Sequence, residues 1–65
     1  MTKFEKENWL CNIQNSAEAI SKQIGYDTVE FILQKYGANS IKDLSPCYYS
    51  EVFSELFAIE ADLKN

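Results

Sequence analysis

Gly25, Gly37 and Pro46 are the only glycines and the only proline among the sixty-five residues, and each stands at the edge of a segment with apolar residues every three or four positions. Glycine at a helix end and proline at a helix start are the two strongest punctuation marks for helical structure. Together they divide the chain into three helices. The first is expected over about residues 3–24: Thr2-x-x-Glu5 has the form of a capping box, Leu10, Ile13, Ala17, Ile20 and Ile24 form one stripe, and Gly25 follows as a stop. The second is expected over about residues 28–36. There Asp27-x-x-Glu30 repeats the capping pattern, Tyr26 and Phe31 are spaced as a hydrophobic staple, Val29, Ile32, Leu33 and Tyr36 share a face, and Gly37 ends the run.

Residues 38–44 are too few for a full helix, but Ser40-x-x-Asp43 suits a single turn that sets Ile41 and Leu44 against a core. Ser45-Pro46 then reads as cap and first helical position of a third helix, expected from about Pro46 to Leu63, with Tyr49, Val52, Phe53, Leu56, Ile59 and Leu63 as its stripe. No strand-like alternation, repeat, linker or low-complexity tract interrupts the pattern. The fold class is therefore all-α: one domain over residues 1–65, a compact three-helix arrangement of long helix, short helix, one-turn connector and long helix. At 1.5 Å per residue the helices measure roughly 33, 14 and 27 Å, so the middle one is too short to cover both others. Parts of the long helices are expected to stay bare unless a second chain covers them.

Charge narrows the function classes. Ten acidic residues against six lysines, with no arginine and no histidine, give a net charge of −4. Nucleic acid and anionic membrane surfaces are poor partners for such a chain. Without histidine it lacks an imidazole base, an imidazole metal ligand and a switch near neutral pH. The start of the chain is charged, and no apolar run approaches the length of a membrane span, so a cytoplasmic setting is expected. Cys11 and Cys47, 36 positions apart and outside any CxxC pair, are expected as free thiols behaving as small buried hydrophobes. No metal or cofactor is expected.

The candidate functional residues are apolar side chains that the helical wheel places off the main stripes. Phe4 and Cys11, seven positions apart, lie opposite the stripe of the first helix, and Trp9 sits at its margin. On the third helix, Phe57 and Ala61 widen the stripe on one side and Tyr48 on the other. These six are the candidate interface, set against the plain alternative that a small core needs its nine aromatics simply to bury enough area. Lys6 and Glu60 fall inside the stripes and can pair in an antiparallel arrangement; otherwise Lys6 extends to solvent and Glu60 sits in a fraying last turn. Glu51, Glu55 and Asp62 form an acidic, solvated face, in which an exposed carboxylate pair lacks the desolvation and third ligand that catalysis wants. Cys47, in the first turn of the third helix, is the one thiol a helix dipole would activate.

The stretch from Lys35 to Pro46, with Tyr49 to Leu63 and the opening Phe4-Glu5, Asn8-Trp9-Leu10 and Gln14 to Glu18, resembles small uncharacterised proteins encoded on conjugative transposons and related integrative elements of Firmicutes. The resemblance covers most of the chain. It implies a bacterial, mobile-element setting and transfers no activity, cofactor or site residue. The function expected from the residues is a non-enzymatic accessory role by protein–protein contact through the aromatic surface of the first and third helices, with a homodimer as one form. An acidic decoy or antitoxin-like regulator of a nucleic-acid-binding protein is the first alternative, and a small thiol- or carboxylate-based enzyme the last.

Overall fold

A computed structural model describes residues 2–64. It contains α1 (Lys3–Ile24), α2 (Asp27–Lys35) and α3 (Tyr49–Lys64), with a 3-10 turn over Pro46–Tyr48 leading into α3. The three-helix, all-α architecture is the expected one. Helix α1 starts where Thr2, in extended backbone, turns its Oγ1 back to accept the Glu5 N–H at 3.1 Å. Glu5 completes only half of a capping box, because its carboxylate meets the Thr2 hydroxyl at 3.2 Å rather than the Thr2 backbone N–H.

The start of α2 differs from expectation. Tyr26 itself is the cap, in helical backbone and with no side-chain hydrogen bond, and Asp27 is the first helical residue. Only a two-residue link, Gly25-Tyr26, joins the helices, leaving no extended residue from which Asp27 could reach back to a free N–H. The expected staple is absent too: Tyr26 and Phe31 are 41% and 69% exposed. Pro46 does open the last helical segment, yet Ser45 offers no side-chain cap and the first turn is 3-10 rather than α. In the connector, Asp43 and Leu44 donate their N–H groups to the Ser40 and Ile41 carbonyls, forming the expected turn. It is braced by the Asp43 carboxylate, which accepts the Asn39 N–H at 3.2 Å.

The core joins all three helices to the connector. Ile13, Ala17 and Ile20 of α1 meet Val29, Ile32 and Leu33 of α2, Tyr49, Val52 and Leu56 of α3, and Ala38 and Leu44 between them. Burying each large aliphatic side chain contributes roughly 1.5–3 kcal/mol, which a chain of this size can ill spare. Trp9, Leu10, Phe53, Ile59 and Leu63 pack around this centre half-buried. Ile24, the last residue of α1 and the last member of its expected stripe, is 49% exposed. The length mismatch has its expected effect: α1 runs the full long dimension of the molecule, 34 Å, while its buried residues begin only at Ile13. Among the described residues, no helix is long and apolar enough to cross a membrane.

Candidate interaction surface

The six candidate residues fall into three places. The first is a row of aromatic rings across the α1–α3 seam. Trp9 meets Phe53 edge-on, with ring centroids 6.0 Å apart and planes at 73°, and Phe53 in turn lies 6.2 Å from Phe57. Trp9 and Phe53 are half-buried, whereas Phe57 is 60% exposed, so the row starts at the core edge and ends in solvent. Ala61, one turn beyond Phe57, is half-buried. Around Phe57 the outward face of α3 carries Ser50, Ser54 and Ala58, all exposed and all uncharged. Edge-to-face rings are favourable beyond their buried area by about 0.5–1.5 kcal/mol, which fixes the inner two rings and leaves the third as the free end.

Phe4 and Cys11 occupy the second place, the face of α1 turned away from the core. Phe4 is 72% exposed, and Cys11 is an exposed free thiol whose Sγ accepts weakly from the Asn15 amide at 3.8 Å. The expectation of buried cysteines is therefore corrected, since Cys47, in the 3-10 turn, is exposed as well. A helix that contacts its neighbours along one stripe has nothing to cover its far side.

Tyr48 marks the third place, on the opposite flank of α3 from Phe57. Its ring lies 5.2 Å from that of Tyr36, and it retains 37% exposure. Beside it stands a cluster that the helical wheel does not disclose. Glu55 accepts a hydrogen bond from Lys35 through one oxygen and from the Tyr36 hydroxyl through the other, tying the end of α2 to α3. The Lys35 bond, then the Tyr36 bond, hold the Glu55 carboxyl below the usual carboxylate range. The Tyr36 phenol is pushed up to about 12, first because it donates to Glu55, then through desolvation and the nearby acidic charge. The reading of Glu55 as a solvated carboxylate is corrected accordingly: it is the fastener between two helices, while Glu51 and Asp62 stay exposed.

Glu60 is likewise engaged within its own helix. It pairs with Lys64 at 3.4 Å, one turn on, rather than lying in a fraying turn as expected, while Lys6 extends to solvent as expected. Among the described residues no three metal-ligating side chains come together. A cleft of about 210 Å³ opens on α1 beside Trp9, lined by Glu5, Asn8, Trp9 and Asn12. Of these the sequence marks Trp9, as an apolar residue at the stripe margin, and Glu5, as part of the capping pattern; Asn8 and Asn12 read only as surface polar residues.

The aromatic row Trp9, Phe53 and Phe57 bridges two helices, while Phe4, Phe31, Tyr26 and Tyr48 expose single rings elsewhere. Compared with known proteins, the chain matches no family model, no curated protein and no solved structure, and its surface is interpreted from its own geometry.

Proposed function

We propose that this chain is a non-enzymatic helical accessory protein, cytoplasmic in setting, which acts by protein–protein contact through the aromatic seam of α1 and α3. The observation that carries this is the ring row Trp9–Phe53–Phe57: two rings are anchored against the core, and the third is 60% exposed beside the uncharged Ser50, Ser54 and Ala58, with the Glu60–Lys64 pair toward the helix end. A large aromatic at the end of a rigid row is a pre-organised anchor. Covering it recovers burial energy without first immobilising a flexible side chain. A second copy of the chain is the simplest partner to test.

The acidic-decoy reading has less support than the sequence offers it. Glu55, at the middle of the acidic face, is neutralised by Lys35 and occupied by Tyr36, leaving Glu51 and Asp62 eleven positions apart. Sedimentation equilibrium on the intact chain and on Phe57→Asp and Phe4→Asp, with helicity followed by circular dichroism, tests the aromatic reading. Association lost in Phe57→Asp and kept in Phe4→Asp, at unchanged helicity, supports the seam. Association equal in all three removes it, and so does a wild-type chain that remains a monomer and has no protein partner released by Phe57→Asp.

A further inference from the structure

We draw no further inference here: the strongest candidate, the exposed surface patch at the Phe57 end of the α1–α3 seam with the open cleft beside Trp9, carries nothing beyond the protein-contact reading, because nothing in the structure shows what covers it.

Discussion

Tyr49 carries a hydroxyl into the centre of the core with no hydrogen-bond partner, although the residue is only 1% exposed. An unsatisfied buried polar group costs about 1–3 kcal/mol, while the ring it belongs to is the largest fully buried side chain. Tyr49→Phe keeps the ring and removes the cost, so it is expected to stabilise the fold by about 1 kcal/mol and raise the melting temperature by about 4–8 °C. A lower melting temperature would show that the hydroxyl is satisfied in solution. Glu55 presents the opposite case, a surface carboxylate with two donors. Its folded value is depressed, so its contribution is present above the ordinary carboxylate value of about 4.5 and is lost as pH falls through the folded value. Tyr36 is raised, so its contribution is complete below 10 and is lost as pH rises from 10 toward about 12. Glu55→Gln is expected to flatten the acid limb of melting temperature against pH and to return one tyrosine titration, read by ultraviolet absorbance, toward 10. An unchanged acid limb would mean that the two helices are not joined through this carboxylate.

The two helix-ending glycines look alike in sequence and work differently as structural elements. After α2, Gly37 donates its N–H to the Gln34 carbonyl and Ala38 donates to that of Leu33, at 3.0 and 2.9 Å, with Ala38 and Leu33 both buried. This is a Schellman closure, and Gly37, at φ +76°, occupies the left-handed position it requires. Gly25, at φ +92° and ψ 163°, lies in a region that only glycine enters freely. A Cβ at either site would meet nothing within 4 Å, so the cost of substitution is conformational alone. Gly37→Ala is expected to lose about 1–2 kcal/mol and Gly37→Asn clearly less, whereas Gly25→Ala and Gly25→Asn should lose similar amounts, about 1–3 kcal/mol each, in denaturant unfolding. Rescue by asparagine at both sites would contradict the distinction. Element boundaries were legible because glycine, proline and apolar spacing act locally, and for the same reason the wheel placed Phe4, Trp9 and Phe57 correctly relative to their own helices. It could not show which neighbour arrives at a given flank. Glu55 therefore read as solvated until Lys35 and Tyr36 came against it, and the start of α2 was misread because the tightness of the Gly25-Tyr26 link depends on how α1 and α2 pack.

At the scale of the whole molecule, unequal helix length governs what is stable and what is available for contact. Helix α1 spans the long axis, but α2, with nine residues, covers only part of it, and every residue from Thr2 to Asn8 is exposed. The opening turns are thus held by the Thr2 cap and by the half-buried Trp9 and Leu10 rather than by full burial. Protection of backbone amides follows how much structure must open to expose them, so it should climb along α1 from the first hydrogen-bonded turns to a plateau over Ile13–Ile20. Native-state hydrogen exchange on the free chain is expected to show this gradient, with the Trp9 and Leu10 amides intermediate. Uniform protection along α1 would mean that the helix opens only with the whole fold and that its first turns are no less stable than its centre. With the gradient present, a partner seated on the Trp9–Phe53–Phe57 row should raise protection selectively in residues 6–12 and leave the plateau where it was, because the core residues are already sealed. The end of α1 that is least stable in the free chain is then the one whose ordering a bound partner would register.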